Sequence, residues 1–143
     1  MISKSIRELL RGRSIVGIAP GASLNGACEM MGLNNVDALV VLRGGDLCGI
    51  ISERDIIRHV SQYGGLNSTK VAKVMTDDVQ VASTRDSVSQ TYARMRLHGF
   101  QYLPVLDLGN AVIDMLSLDD IPAEYRTASQ TDMVARRTIT AAA

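Results

Sequence analysis

The chain contains an internal repeat, and a repeat constrains a fold more than any other feature of a sequence. Mostly apolar residues with the i, i+3, i+4, i+7 spacing of one helix face stand at positions 24, 27, 28 and 31, and again 64 positions later at 88, 91, 92 and 95. A short apolar run follows at 38–42 and at 102–106, and each run ends in turn residues. The second turn is one residue longer, so that residues 50–56 correspond to residues 115–121.

The repeating unit is predicted to be strand, helix, strand, hairpin, strand and helix, over residues 14–62 (the first copy) and 78–126 (the second copy). The alternating segments Val16-x-Ile18 and Val79-x-Val81 are assigned as the opening strands. About 50 residues bury too little apolar surface to fold alone, so the copies are expected to pack together in an α/β (α+β) fold.

Three segments are expected to lie outside the repeat. Residues 1–12 carry apolar positions that include Ile6, Leu9 and Leu10, which predict an amphipathic helix that ends near Gly12. Residues 63–77 form the connector, with one helical turn between Lys70 and Met75. Residues 127–143 are rich in Thr, Ala and Ser and are expected to be flexible.

The composition argues against several classes of function. The 143 residues include 15 Lys and Arg and 15 Asp and Glu, for a formal net charge of zero. A neutral chain has no overall field that attracts nucleic acid or an anionic membrane. The N-terminus has no signal-peptide pattern, and no run approaches the ~18 apolar residues of a membrane span. We therefore expect a soluble, cytoplasmic protein.

The residues that most often carry catalysis or bind metals are scarce and scattered. Cys28 and Cys48 are interpreted as buried free thiols, with a disulfide or a metal site as the alternatives. His59 and His98 have neither a neighbouring nucleophile nor metal-ligand spacing. The glycines near 44–49 do not form a dinucleotide-binding fingerprint. No enzyme activity and no metal are predicted. The basic positions 94, 96 and 98 are assigned to a solvated helix face, with a phosphate contact as the alternative.

One motif recurs at the same place in both copies. Ser52-x-x-Asp55 and Ser117-x-x-Asp120 each follow a strand and precede an apolar segment. The spacing is close to that of a capping box, which satisfies backbone N–H groups at a helix start. The same place also suits a nucleotide, because a helix N-terminus attracts phosphate and a carboxylate accepts hydrogen bonds from ribose hydroxyls.

Three segments resemble the cystathionine-β-synthase (CBS) domain family. Residues 49–58 (GIISERDIIR) resemble its closing motif, and residues 73–79 (KVMTDDV) and 99–105 (GFQYLPV) resemble the linker and middle strand of a second such domain. The resemblance covers about residues 13–126. It implies two β-α-β-β-α CBS repeats related by pseudo-two-fold symmetry, a tandem pair called a Bateman module. CBS domain 1 is assigned to 13–62 and CBS domain 2 to 78–126.

The resemblance also implies a function. Such pairs commonly bind adenosyl nucleotides such as AMP, ADP, ATP or NAD in clefts between the repeats, form homodimers and regulate other proteins without catalysis. No cofactor is obligatory, the regulated partner is unknown, and neither nucleic acid nor membrane is expected as a partner. The alternative is a structural dimerisation or partner-docking module that binds no ligand.

In the first copy, Ser52 and Asp55 match the family's phosphate- and ribose-contacting positions, and Arg54 and Arg58 are cations that could meet a phosphate. The residues that match adenine-lining positions are Val16, Ile18, Ala38 and Leu39. Asp37 stands where relatives have a small neutral residue, and it is interpreted as an exposed acid at a strand edge.

The second copy departs further from the family pattern. Its matching positions are Val79, Tyr102, Leu103, Pro104, Ser117 and Asp120. Asp114 replaces a glycine, and Gln101-Tyr102 replaces a pair that is often basic. Pro122 would clash within a helix that began after Ser117, so the helix is expected to start later, with Asp120 as its cap and Pro122 in its first turn. Asp120 would then bind the backbone, and this site is predicted to be degenerate or to prefer a ligand without exposed phosphates.

Overall fold

The computed structural model describes residues 4–10 and 15–126, which form helices and short strands. In chain order the elements are α1 (Ile6–Leu9), β1 (Gly17–Ile18), α2 (Leu24–Asn34), β2 (Ala38–Arg43), β3 (Asp46–Ser52), α3 (Glu53–Tyr63), α4 (Val71–Val74), β4 (Ala82–Ser83), α5 (Val88–His98), β5 (Tyr102–Leu106), β6 (Val112–Ser117) and a 3-10 turn (Leu118–Asp120). The predicted α+β class and the turn after Lys70 are confirmed. None of the helices in these ranges is long and apolar enough to cross a membrane.

The strands form two three-stranded sheets of identical topology. Strand β1 is parallel to β2, which is antiparallel to β3, and β4, β5 and β6 repeat this order. Both hairpins have a register shift at the same place, after Val41 and after Val105. The β2–β3 turn uses Gly44 and Gly45, both with positive φ, as a tight hairpin turn requires.

The two long helices after the opening strands begin and end alike. Ser23 caps α2 by accepting a hydrogen bond from the Gly26 N–H, and Ser87 caps α5 by accepting one from the Gln90 N–H. A left-handed residue, Asn35 or Gly99, ends each helix. The predicted apolar stripes are buried with one exception, Cys28, which is exposed, so its assignment as a buried thiol is wrong.

The chain divides into two compact units, each with its own core. The continuous unit is Ser14–Gln80, and the discontinuous unit is Met1–Arg13 together with Val81–Ala143. Leu24, Leu39 and Ile51 are among the fully buried residues of the first core, and Val88, Leu103 and Met95 among those of the second.

Helix α1 is the counterpart of α4 rather than an addition to the repeat. The Ile6 N–H donates to Asp86 O at 2.8 Å, and the Val71 N–H donates to Ala22 O at 2.8 Å. Ile6 and Val71 are each fully buried, in the core of the discontinuous unit and of the continuous unit respectively. Each short helix therefore packs against the copy that does not follow it directly in sequence.

Three expectations about the remaining segments have different outcomes. The strand predicted at Val79-x-Val81 is wrong, because β4 is Ala82–Ser83 and the ladder places Ala82 opposite Val105 as it places Ile18 opposite Val41. Helix α1 is shorter than predicted, since Leu10 already has extended backbone. Gly12 and residues 127–143 lie outside the described residues.

Candidate functional site

The first-copy motif joins the end of β3 to the start of α3. Ser52 Oγ accepts a hydrogen bond from the Asp55 N–H at 3.2 Å, and Asp55 Oδ2 accepts one from the Ser52 N–H at 3.0 Å. This is the reciprocal capping box that the spacing indicated. The Glu53 N–H donates to Asp37 O at 2.9 Å, which fixes the residue before β2 against the helix start.

Ser52 and Asp55 can still form hydrogen bonds to a ligand while they form the capping box. A carboxylate has about four acceptor sites on two oxygens, and a serine hydroxyl can still donate its hydrogen. Asp55 can therefore cap the helix and accept a ribose hydroxyl at the same time. The positive end of the α3 dipole lies at the same place and favours a negative group.

The second-copy motif forms the same box around a much shorter element. The Ser117 N–H donates to Asp120 Oδ2 at 3.4 Å, and Ser117 Oγ accepts from the Asp119 N–H at 3.3 Å. The Leu118 N–H donates to Gln101 O at 2.8 Å, as Glu53 does to Asp37. Asp120 binds the backbone as predicted, but since Asp55 does so too, this bond does not distinguish the copies.

The last helix starts later than Ser117, as expected, but the prediction that Asp120 caps it is wrong. Asp120 does not cap a helix that contains Pro122. It is the last residue of the 3-10 turn Leu118–Asp120, which Ser117 caps at its start and Ile121 follows with extended backbone. The Arg126 side chain closes this turn, donating from Nε to Ile121 O at 2.6 Å and from Nη2 to Asp119 O at 2.7 Å. A helical segment does begin after the proline, at residues 123–126, where Pro122 O accepts a hydrogen bond from the Arg126 N–H at 3.3 Å. Pro122 therefore stands at the start of this segment, where its ring is tolerated.

The sheet of the continuous unit separates the predicted first-copy residues onto two faces. Val16, Ile18 and Leu39 pack in the hydrophobic core. Ala38 pairs with Ser52 across β2 and β3, and alternation puts this pair on the opposite face. The structure therefore brings Ala38 together with the motif, and it directs the other three apolar side chains away from it.

Two residues beside Ala38 were missed by the sequence analysis. Gly17 pairs with Val40, and both lie on the face that carries Ala38 and Ser52. A side chain at Gly17 would come within 3.0 Å of the Leu42 side chain on that face. Residues 38–41 are apolar throughout, so no alternation in the sequence marks this face.

The second-copy residues divide in the same way. Leu103 is buried in the core, whereas Tyr102 pairs with Ser117 and Pro104 with Met115 on the other face. Val79 precedes β4 and belongs to the continuous unit. Asp114 is 4% exposed and pairs with Val105 as Gly49 pairs with Val41, which confirms that the two positions correspond.

The basic residues differ in their exposure to solvent and in their hydrogen bonds. Arg54 and Arg58 are exposed on α3, one turn apart. Arg96 and His98 are exposed, as predicted, but Arg94 is not on a solvated face. The Arg94 guanidinium donates to Val81 O, and its Nε is buried without a hydrogen-bond partner among the described residues. Arg94 thus braces the chain just before β4.

Desolvation, with the Glu53 carboxylate as a second cause, raises the pKa of the Cys28 thiol. Cys28 and Cys48 are both free.

Asp37 is exposed, as expected. Within residues 4–10 and 15–126, no three His, Cys, Asp or Glu side chains are grouped so that they could hold a metal ion.

Comparison with known proteins gives a consistent result. The family model of the CBS domain matches residues 6–62 and 71–124. The chain is 25% identical over 107 residues to the CBS domain-containing protein YhcV of Bacillus subtilis, covering 75% of this chain and 76% of YhcV. A homoserine O-acetyltransferase of Methanococcus vannielii is 25% identical over 121 residues, a match that spans 84% of this chain and a quarter (25%) of that enzyme.

Solved structures share the fold. The CBS domain NE2398 is 31% identical with a TM-score of 0.78, over 84% of this chain and 95% of that one. PAE2072 from Pyrobaculum aerophilum, solved with AMP, is 22% identical with a TM-score of 0.77, over 92% and 98%. The CBS domain pair of MJ0100, solved with 5′-methylthioadenosine and S-adenosyl-L-methionine, is 22% identical with a TM-score of 0.74, over 84% and 94%.

Proposed function

Because this chain belongs to the CBS domain family and carries two CBS domains in tandem, we propose that it is a non-catalytic regulatory module that binds an adenosyl ligand at its first copy. The observation that carries the proposal is the Ser52–Asp55 box at the end of β3, beside the small residue Ala38. The ligand class is the adenosyl group itself, as in AMP, ADP, ATP, NAD or S-adenosylmethionine.

Each part of this site has a matching part of the ligand. Asp55 is suited to accept hydrogen bonds from the ribose hydroxyls, and Ser52 and the α3 N-terminus are suited to a phosphate. Arg54 and Arg58 lie exposed on the same helix and can approach a phosphate from solvent. Ala38 places only a methyl group next to Ser52, with Gly17 and Val40 on the same face, and we propose that the base lies there.

Two proteins with the same fold support the choice of ligand class. PAE2072 was solved with AMP, and MJ0100 with 5′-methylthioadenosine and S-adenosyl-L-methionine. All three molecules contain an adenosyl group and differ in the atoms attached at its 5′ carbon. The shared adenosyl part is therefore what we propose for this chain, and the 5′ group is left to experiment.

The second copy is proposed to be degenerate. Its last segment, residues 117–126, carries Asp119, Asp120 and Glu124 against Arg126, whereas residues 52–61 carry two acids and two bases. Arg126 donates to backbone carbonyls of the turn, so its hydrogen bonds are directed away from a ligand. A phosphate would meet a net negative segment there and is disfavoured.

A ligand-free docking or dimerisation module is the second candidate. The observation in its favour is that both Ser-x-x-Asp motifs make complete capping boxes with the chain's own backbone, which is a sufficient structural role for these residues. The continuous unit also exposes Leu33, Ile57 and Tyr63, which are 84%, 60% and 69% accessible. Exposed apolar residues mark a contact surface where they form one contiguous patch. Homodimerisation, a regulated protein partner and a cytoplasmic location stay predictions under either candidate.

Isothermal calorimetry with two matched variants separates the candidates. We expect AMP, ADP, ATP, NAD or S-adenosylmethionine to give binding heat with the wild type and with Asp120→Ala, and at least tenfold weaker binding with Asp55→Ala. Asp55→Asn retains an oxygen that can cap the helix and controls for loss of fold. Absence of heat with every ligand favours the docking module. Binding that Asp55→Ala leaves unchanged places the ligand elsewhere.

A further inference from the structure

The connector is hydrogen-bonded to the sheet of the continuous unit two residues before the motif serine. The Ile50 N–H donates to Thr76 O at 3.0 Å, and the Thr76 N–H donates to Ile50 O at 2.9 Å. Thr76 is thus an antiparallel neighbour on the outer edge of β3, the strand that ends at Ser52. Gly49 permits this close approach, because a Cβ there would lie 2.9 Å from Thr76 O.

The segment of β3 between this pair and the motif is held on both sides. Ile50 pairs with Val40 of β2 on one side and with Thr76 on the other. Ile51, the single residue between Ile50 and Ser52, is fully buried. A ligand that fixes Ser52 therefore also restrains Ile50, and through Ile50 it restrains the hydrogen bonds to Thr76.

The chain after Thr76 has few bonds until it enters the discontinuous unit. In the described part of the chain, none of the residues 77–80 takes part in a backbone–backbone hydrogen bond. The next bonded group is the carbonyl of Val81, which accepts a hydrogen bond from the Arg94 guanidinium of α5. Val81 is also the residue at which the discontinuous unit resumes. The chain that joins the two units is therefore anchored at Thr76 in one unit and at Val81 in the other.

We propose that the Ile50–Thr76 pair couples the first-copy site to the rest of the chain: an adenosyl ligand at Ser52 and Asp55 stabilises this pair and thereby fixes the point at which the chain leaves the continuous unit. For the nature of the ligand this rests on the proposed function, and it adds the regulatory step. Binding and pairing are reciprocally linked, so that loss of the pair weakens ligand binding as the ligand strengthens the pair.

The direct test is hydrogen exchange of the Thr76 amide in the full chain, measured by NMR without AMP and at saturating AMP. 5′-Methylthioadenosine replaces AMP if calorimetry shows that only the thioether binds. A single bridge at a sheet edge opens locally, so a ligand slows its exchange only by stabilising the bridge itself. We expect exchange of Thr76 to slow by roughly tenfold or more. The Lys73 amide, which donates to Lys70 O in the same connector, is the internal control and should be nearly unchanged.

Two variants of one residue test the reciprocal effect by calorimetry. Thr76→Pro removes the N–H that donates to Ile50 O, and Met75 already has the extended backbone that a residue before proline needs. Thr76→Ala keeps both backbone hydrogen bonds and is the matched control. We expect binding to Thr76→Pro to be weaker by several-fold or more, and binding to Thr76→Ala to equal that of the wild type. Gly49→Ala, which displaces Thr76 O, replaces the proline variant if circular dichroism shows that variant to be unfolded.

The coupling and the proposed function fail in different ways. A ligand that binds without slowing Thr76 exchange, or that slows Thr76 and Lys73 equally, overturns the coupling and leaves the binding function intact. Wild-type affinity in the folded Thr76→Pro variant has the same meaning. Absence of binding heat with both AMP and 5′-methylthioadenosine counts against the proposed function, and the coupling falls with it.

Discussion

Gly49 and Asp114 hold equivalent places in the two hairpins, but only the first has no room for a side chain. A Cβ at Gly49 would lie 2.6 Å from Met75 Sδ and 2.9 Å from Thr76 O. The Thr76 carbonyl cannot easily move, because it accepts a hydrogen bond from the Ile50 N–H at 3.0 Å. The glycine thus lets the connector pair with the edge of β3.

We predict that Gly49→Ala lowers the free energy of unfolding by about 1–3 kcal/mol, since the connector must move away from β3. Gly32→Ala is the matched control, because nothing lies within 4 Å of its added methyl group. Within α2 that change should stabilise the protein by about 0.5–1 kcal/mol. Urea denaturation of both variants checks this, and equal effects would contradict the proposed contact.

Cys28 should need a higher pH to react with alkylating agents than an unperturbed cysteine does. Its pKa is raised, so the folded protein keeps the thiol protonated at pH values where the unfolded chain has begun to lose the proton. Stability should accordingly fall as pH rises above the pKa of an unfolded cysteine, about 8.5. The pH profile of iodoacetamide modification, in a Cys48→Ser background, is expected to have its midpoint above that of the urea-unfolded protein.

Glu53→Gln tests one cause of this shift by itself. Removing the carboxylate should lower the midpoint part of the way, because desolvation, the larger cause, persists. If the folded Cys48→Ser protein, with Glu53 intact, has the same midpoint of iodoacetamide modification as the urea-unfolded protein, then neither cause acts on Cys28.

Among the elements, α1 and α4 show how the repeat is completed. Both are four residues long and too short to be stable alone, so their stability comes from one buried side chain and a few backbone hydrogen bonds. Ile6 and Val71 are those side chains. Each helix should therefore stabilise the unit it packs in, whatever its position in the sequence.

Ile6→Ala is predicted to destabilise the discontinuous unit by about 2–4 kcal/mol through lost burial and the cavity left behind. Hydrogen exchange should accelerate in α5 and β5, whereas Val71→Ala should accelerate exchange in α2 and β2. Arg7→Ala, at an exposed position of α1, is the control and should change little. Faster exchange in α2 and β2 after Ile6→Ala, with α5 and β5 unaffected, would contradict the packing described above.

The sequence predicted elements well where the signal is local. The apolar stripes of α2 and α5 follow from spacing within one helix. The position of β4 does not follow from a local signal. Val79-x-Val81 alternates as a strand would, but the residues that pair with β5 are Ala82 and Ser83. The equivalence of α1 and α4 was missed because four residues carry too few apolar positions to reveal a period.

The candidate site was predictable in part for the same reason. The capping boxes are fixed by a spacing of three residues and could be identified directly. The face of the sheet that Leu39 occupies could not be predicted from the sequence. The first four residues of β2 are apolar and buried on both faces, so they show no alternation of apolar and polar residues. Arg94 was misplaced because its contact with Val81 O joins residues 13 positions apart.

At the scale of the whole molecule, the repeat accounts for both the fold and the difference between its halves. Two sheets with the same register carry the same motif, but one presents Ala38 and the other Tyr102 beside it. The formal net charge of zero also combines a balanced first-copy segment with an acidic second-copy one. The central claim is therefore that an adenosyl ligand binds at the first copy.

Backbone amide chemical shifts, followed by NMR while AMP or 5′-methylthioadenosine is added, test this claim most directly. We predict that the largest shifts occur at Ala38 and at residues 52–55, and that residues 117–120 change little. Shifts centred on residues 117–120, or no shifts at any ligand concentration, would contradict the account.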